Sequence, residues 1–121
     1  MYRKMTRRLA ILFFFITIPT FNHASEYQIL TRLEFVQSLG NRQLKRFGAN
    51  LYVFDDGSIK GNVFGKNFDG IWEWKDGYFC RDFMGEKLLG YDCQKVEKNG
   101  DEMRFTAQKG EGQSLQFKLR K

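Results

Sequence analysis

Three patterns of apolar and polar residues follow one another along the chain. Residues 9–21 are almost uninterruptedly apolar, and residues 31–39 repeat apolar side chains at helical spacing. Beyond Gly40, apolar and polar residues alternate between glycines that recur every several residues. Such alternation is typical of short antiparallel strands that bury one face. The pattern therefore predicts a mainly β domain that is preceded by one short helix.

The helix is predicted to begin directly after Thr31. The segment Thr31-Arg32-Leu33-Glu34 fits a capping box, in which the Thr and Glu side chains bind free backbone N–H groups of the first turn. Leu33, Val36 and Leu39 are expected to share the apolar face of this helix. Gly40 is suited to end the helix, because glycine readily adopts a left-handed conformation.

Eight strands are predicted after the helix. The dipeptides Asp56-Gly57, Asp76-Gly77 and Asn99-Gly100 are hairpin turn signals, and 109–112 is a looser bend. A small sheet with many edges gains from closing on itself. We therefore expect a small antiparallel meander or barrel-like sheet with the short N-terminal helix plugging or flanking one end. The predicted strands are 42–47, 50–55, 58–64, 68–74, 78–83, 87–97, 101–108 and 113–120.

Cys80 and Cys93 fall on two neighbouring predicted strands. A hairpin that turns near residues 85–87 would place them directly opposite each other, with their Cβ atoms close to the reach of a disulfide. An exported protein enters an oxidising compartment, where such a pair is normally bonded. We therefore predict a disulfide between them, and two free buried thiols are the alternative.

Export is predicted from residues 1–24, which read as a signal peptide ahead of one domain at 25–121. A basic start, the apolar run and a short polar stretch form the three-part pattern of such peptides. An uncleaved anchor is the alternative, but the run is shorter than the roughly 20 residues that a membrane span needs, and Pro19 interrupts it. We expect a periplasmic or secreted protein that meets the membrane only transiently during export.

The net charge and the histidine content of residues 25–121 limit the classes of function that we expect for the exported domain. Four of the 20 Lys and Arg residues but none of the 14 Asp and Glu residues lie in residues 1–24, which leaves an excess of only two positive charges. Because no basic run remains, we expect no nucleic-acid partner. The single histidine, His23, lies in the same segment, so the commonest general base and metal ligand is missing from residues 25–121. We therefore predict no enzyme, no metal and no cofactor.

Two carboxylate pairs are candidates for acid–base catalysis. Asp55 with Asp56, and Asp69 with Glu73, are two pairs of carboxylates close together along the chain, and such pairs serve in glycosidases. The first pair enters a predicted turn, and the second occupies strand positions of one parity that would face water. Structural roles are the simpler interpretation of both pairs.

Aromatic residues supply the remaining functional signal. Strand parity predicts one face shared by Phe68, Gly70, Trp72 and Trp74, which Tyr78 and Cys80 would continue in the next strand. This face is interpreted either as packed core or as a cavity. In the second case, we expect a binding module for a small apolar or anionic ligand. The expected ligand-binding residues are Trp72, Trp74, Tyr78 and Arg81.

A protein-interaction role is the alternative from another class. Small disulfide-stapled β domains, such as periplasmic lysozyme inhibitors, cap a partner by inserting a polar loop into its cleft. No loop of this chain stands out as such an insertion. A periplasmic protein therefore remains the second kind of expected partner.

The segment around the first cysteine resembles a group of small exported proteobacterial proteins. They share a G-x-W-x-W-x-x-G-Y-x-C-R run, which matches Gly70–Arg81 here, a later D-C-Q at Asp92–Gln94, and an R-F-T segment at Arg104–Thr106. The resemblance covers most of residues 25–121 and implies periplasmic residence.

Some members of this group are labelled dihydrodipicolinate reductase, which would imply a nicotinamide cofactor. Such an enzyme seats the pyrophosphate of its cofactor on a G-x-G-x-x-G turn between a strand and a helix. Residues 25–121 contain no such motif and leave no room for a dinucleotide domain. The glycines at 57, 61 and 65 are interpreted as turn and curvature positions, and a reductase is only a remote alternative.

Overall fold

The computed structural model of the chain describes residues 11–17, 26–84 and 90–121. Within these residues it forms nine strands and two short helices. The eight predicted strands are present close to their predicted bounds, and a further two-residue strand, β1, precedes the helix. In chain order the elements are β1 (Gln28–Ile29), α1 (Arg32–Leu39), β2 (Gln43–Arg46), β3 (Ala49–Val53), β4 (Ser58–Val63), β5 (Lys66–Lys75), β6 (Tyr78–Met84), β7 (Asp92–Asn99), β8 (Glu102–Thr106), α2 (Ala107–Gly110) and β9 (Ser114–Arg120).

The sheet closes into an eight-stranded antiparallel barrel. Each strand from β2 to β9 pairs with the next along the chain, and β9 returns to pair with β2 through Leu44 and Leu119. The strand β1 adds to β7, where Gln28 is opposite Lys98. Closure leaves none of the eight barrel strands as an open edge, which is the gain expected for a small all-β domain. The predicted fold class is therefore confirmed.

Alternation along the strands separates the barrel interior from its outer wall. On β8, Met103 and Phe105 are buried inside, whereas Arg104 lies outside and its guanidinium contacts the Glu97 carboxylate at 3.1 Å. Among the described residues, the core lies within the barrel and beneath α1. Its members are Leu30, Phe35, Leu39, Leu44, Val53, Ile59, Trp72, Phe79, Val96, Met103, Phe105, Phe117 and Leu119.

The helix α1 closes one end of the barrel. The predicted capping box is present, since the Glu34 backbone N–H donates to the Thr31 hydroxyl and the Thr31 N–H donates to the Glu34 carboxylate, both at 3.2 Å. The helix buries Phe35 completely, together with Leu39, whereas Leu33 is 63% exposed. The predicted apolar face is therefore wrong for Leu33, because the side facing the barrel runs along positions four apart that begin at Phe35.

The β5–β6 hairpin corrects a second prediction. Its turn has two residues, so Lys75 is opposite Tyr78, Trp74 is opposite Phe79 and Trp72 is opposite Arg81. Opposed residues of a ladder point to the same face, so even-numbered residues of β5 share the interior with odd-numbered residues of β6. Trp72 and Trp74 face inward as one set, but Tyr78 and Cys80 belong to the outer wall. The prediction that they continue the tryptophan face is wrong.

The disulfide between Cys80 and Cys93 is present, and it joins directly opposed residues of β6 and β7. It lies on the outer wall of the barrel, as the parity of β6 requires. Next to it, α2 folds against β7, where the Gln108 backbone N–H donates to the Asp92 carboxylate at 3.1 Å. Gln108 and Lys109 both have positive φ, which ends β8 before its predicted bound.

The segments named in the export prediction lie largely outside the described residues. Residues 1–10 and 18–25 are among those, and Ile11–Thr17 are exposed and lie outside any helix or strand. Residues 87–89 of a predicted strand also lie outside, and β7 begins at Asp92. No described helix has the length and apolar character of a membrane span. All strands, both helices and every core residue of the described structure lie within 26–121, so a fragment of that length holds the complete barrel.

Candidate functional site

The barrel is filled at its helix end and hollow at the other. At the helix end, the ring of Phe35 packs 5.6 Å from that of Trp72, 5.1 Å from Phe79 and 6.3 Å from Phe105, measured between centroids. On their other side, Phe79 and Phe105 form the floor of a cavity of about 400 Å³. The aromatic interior of the barrel is therefore a packed core at the helix end and the lining of a cavity at the other end.

The cavity is lined by side chains from all eight barrel strands, and seven of these strands contribute apolar ones. Most of them are phenylalanine, leucine, valine or isoleucine, and the polar side chains are Arg46, Arg81 and Gln94. The cavity reaches the surface between the tips of two hairpins, where Phe47 and Phe64 line it and are largely exposed. We refer to this end of the barrel as the mouth.

Two glycines shape one wall of the cavity. A Cβ atom at Gly61 would lie 2.4 Å from the ring of Phe68, and one at Gly70 would lie 2.8 Å from the ring of Phe83 and 2.9 Å from a backbone oxygen. These distances are far shorter than a van der Waals contact, so the two rings require glycine on the facing strand. The rings themselves meet edge to face with centroids 5.0 Å apart.

Arg81 places a positive charge in the cavity wall. Its side chain comes from the interior face of β6 and the residue is only 8% exposed. Its guanidinium donates a hydrogen bond to the Gly90 carbonyl and lies 4.7 Å from the centroid of the Phe83 ring. The carboxylate of Asp92 is 3.9 Å away, which is an ion pair but not a hydrogen bond.

Burial determines the electrostatics of this group. Loss of solvent lowers the pKa of Arg81, and the negative charges of Asp92 and Asp82 oppose the shift. An arginine remains protonated at neutral pH, because its ordinary pKa is far above that range. The wall of an otherwise apolar cavity therefore carries a permanent cation.

The structure separates the four residues predicted to bind a ligand. Only Arg81 lines the cavity. Trp72 lies below its floor and donates from Nε1 to the Phe54 carbonyl at 2.7 Å, and Trp74 packs 5.3 Å from Phe35. Tyr78 lies on the outer wall, where the Lys109 ammonium is 5.7 Å from its ring centroid.

Sequence reasoning missed most of the cavity lining. Alternation along β8 and β9 places Phe105, Phe117 and Leu115 at inward positions, but alternation does not separate a packed side chain from one beside a void. Phe83 was missed altogether, because the faces of β5 and β6 were joined with the wrong parity. Counting the two turn residues at Asp76-Gly77 would have found it.

The carboxylate pairs have structural surroundings. Asp56 accepts hydrogen bonds from the hydroxyl and the backbone N–H of Ser58 at 2.6 and 2.9 Å, which lower its pKa. Asp69 is exposed on the outer wall, 4.0 Å from the Lys60 ammonium. In the described part of the chain, no three His, Cys, Asp or Glu side chains cluster in a way that could hold a metal ion.

Comparisons with protein-family models, with curated proteins and with solved structures found no match for this chain. The fold and the cavity define the class of protein, which is an antiparallel barrel of eight strands with a helix across one end and an apolar cavity at the other.

Proposed function

We propose that the barrel binds a small apolar molecule that carries an anionic group, and that it does so in the periplasm or outside the cell. The observation that carries this proposal is an apolar cavity of about 400 Å³ with the buried cation Arg81 in its wall. Eight strands enclose an interior that either is filled by side chains or holds one small ligand. The cavity volume lies within the range of known ligand pockets.

The lining favours hydrocarbon or aromatic groups in the body of the ligand. Apart from two arginines and one glutamine, the side chains of the described lining offer no polar partner. Each methylene group that leaves water for such a site contributes about 0.8 kcal/mol. A short acyl chain or an aromatic ring therefore suits the cavity better than a sugar or a nucleotide.

Arg81 favours an anionic group at one end of the ligand. A buried guanidinium has lost most of its water, and Asp92 compensates it only from 3.9 Å. Charge-assisted hydrogen bonds from a guanidinium to a carboxylate or sulfonate are among the stronger ones in proteins. A ligand anion in the cavity would therefore add a direct ionic partner for Arg81, which the Asp92 carboxylate does not hydrogen-bond.

A binding assay with matched ligands tests this proposal. The fragment 26–121, with its disulfide formed, is titrated with anilinonaphthalene sulfonate, which is both apolar and anionic. Medium-chain fatty acids are then compared with alcohols of equal length as competitors. We expect the acids to displace the probe at lower concentrations than the alcohols.

Three variants locate the binding site. Ala49→Phe fills the cavity and is expected to weaken acids and alcohols alike, whereas R81M is expected to weaken the acids by about tenfold or more and leave the alcohols unchanged. K60M removes an exposed cation from the outer wall and serves as the charge control. Unchanged binding by a folded Ala49→Phe variant would refute the proposal.

The proposed location and the binding role have separate support. The disulfide between Cys80 and Cys93 is compatible with an oxidising compartment, and the signal pattern of residues 1–24 indicates export. A binding role is favoured over catalysis because the described residues of the cavity wall include no histidine, acid or thiol. Fractionation of cells that express the full chain tests the location, with the protein expected in the periplasmic fraction or the medium.

A further inference from the structure

Two exposed phenylalanines stand at the mouth of the barrel. Phe47 lies at the tip of the β2–β3 hairpin and Phe64 at the tip of the β4–β5 hairpin, and they are 92% and 73% exposed. Their rings meet edge to face with centroids 6.1 Å apart. We call these two tips, with the basic residues that flank them, the aromatic rim.

The conformation of Phe64 is unfavourable for its residue type. Phe64 and Gly65 have φ of 48° and 84°, and Asp76 and Gly77, at the opposite end of the barrel, have a closely similar pair of 53° and 87°. Aspartate followed by glycine is the usual choice for such a turn, whereas a bulky side chain at positive φ is rare and strained. Because the Phe64 ring stays largely exposed, burial does not offset this strain.

The tip of the β2–β3 hairpin accommodates the ring of Phe64. A Cβ atom at Gly48 would lie 2.4 Å from the Phe64 ring, so in this arrangement the ring packs directly against the backbone of a glycine that has a φ of 74°. Both hairpins are thus adapted to present the rings at the mouth. Backbone strain of this kind is found mainly at functional sites.

Charge is arranged around the same tips. The segments 43–54 and 58–68 contain Lys45, Arg46, Lys60 and Lys66 and no acidic residue. Arg46 and Lys66 directly flank the tips, and both are exposed. The two hairpin segments that form the aromatic rim therefore carry positive charges only.

We infer that the aromatic rim docks the mouth of the barrel on an anionic phospholipid bilayer. Exposed aromatic rings enter the boundary between headgroups and acyl chains, and flanking cations are attracted to anionic headgroups. A second copy of the chain fits this surface poorly, because contact between two mouths would bring the same cations together. The inference goes beyond the proposed ligand and does not depend on it.

Vesicle co-sedimentation of the fragment 26–121 tests the docking. Vesicles of phosphatidylcholine alone are compared with vesicles of equal parts phosphatidylcholine and phosphatidylglycerol. We expect binding to the anionic vesicles that weakens as salt rises from about 0.1 M to about 1 M, because the Debye length falls from about 10 Å to about 3 Å. Absence of binding to anionic vesicles at low salt would overturn the inference, and the membrane would then be met only during export.

The first variant pair tests the rings. F47S/F64S is expected to lower the vesicle partition coefficient by about tenfold or more, since two large apolar side chains no longer enter the bilayer. The control is L33S/I71S, which removes two exposed apolar side chains away from the mouth and is expected to bind within about twofold of the parent. An equal loss in both variants would contradict docking through the rim.

The second variant pair tests the charges. K45Q/K66Q is expected to lower binding to anionic vesicles by about fivefold for each cation, whereas K75Q/R120Q, at the helix end, retains most of it. Ala49→Phe keeps the rim and should bind vesicles normally, so failure of cavity binding and failure of docking remain distinguishable. Sedimentation velocity completes the test, because a dimer that F47S/F64S dissociates would assign the rim to self-association instead.

Discussion

Removing the disulfide by C80A/C93A should lower the stability of the barrel by about 3 kcal/mol. The two cysteines are 13 residues apart. In the chain-entropy model, closing a loop of this length raises the free energy of the unfolded chain by about 3 kcal/mol, because the chain loses conformational entropy. The free energy of unfolding of a protein domain is typically about 5–15 kcal/mol, so this loss would be a large part of the stability. The variant should still fold, because its core lies inside the barrel and the disulfide lies outside.

Urea unfolding of the fragment 26–121, followed by tryptophan fluorescence, measures this change. Trp72 is buried at the floor of the barrel and reports its opening. With a slope of about 1–1.5 kcal/mol/M, the midpoint should fall by about 2–3 M. The parent protein in a reducing agent is the control and should match the variant. An unchanged midpoint would refute the assignment of the disulfide as a staple.

The same variant separates the disulfide from the cavity. Since Cys80 and Cys93 face away from the interior, the folded C80A/C93A variant should bind anilinonaphthalene sulfonate with nearly the affinity of the parent. Loss of probe binding in a variant that is still folded would show that the disulfide shapes the ligand site directly.

Three further predictions concern single positions. F35A should cost about 3–5 kcal/mol in urea unfolding, because it removes a completely buried ring from the core beneath the cavity; a loss below 1 kcal/mol would contradict its role as the plug. F64N should raise stability by about 1 kcal/mol, since asparagine tolerates positive φ, and an unchanged midpoint would show that Phe64 is not strained. S58A should raise the pKa of Asp56, because the hydrogen bonds from Ser58 hold that pKa below its ordinary value. In the parent protein, the lowered pKa means that ionised Asp56 stabilises the turn at pH values above its unfolded-state pKa. This stabilisation is lost as the pH falls through the folded-state pKa. Titration followed by carboxyl NMR shifts measures that change, and an unmoved midpoint would contradict the assigned cause.

Local features of the fold were predictable from the sequence, whereas relations between strands were less so. Strand positions follow from alternation and turn dipeptides, and the capping box at Thr31 depends on four consecutive residues. The face of Tyr78 depends on how many residues the preceding turn contains, and an error of one inverts every side chain of the strand. The sequence does predict that Cys80 and Cys93 are opposed, because that prediction counts residues from the turn of the same hairpin, near residues 85–87.

The cavity itself could not be predicted from alternation. An inward residue such as Phe117 or Leu115 has the same pattern whether it packs against a neighbour or borders a void. The void depends on closure of β9 against β2 and on the rings that lie over Gly61 and Gly70. The closure joins strands that are distant along the chain, and the ring contacts depend on the exact register of two hairpins, so no local motif marks the void.

The distribution of unfavourable features along the barrel axis argues that function lies at the mouth. The helix end follows the ordinary rules, with a capping box, an Asp-Gly turn and a filled aromatic core. The other end holds a buried cation at Arg81 and a left-handed, exposed Phe64, and both are unfavourable residue types for their positions. A chain selected for stability alone would have an apolar residue at 81 and asparagine at 64. Since proteins break such rules mainly at functional sites, two violations at one end support a binding role there, by a route that does not use the cavity volume.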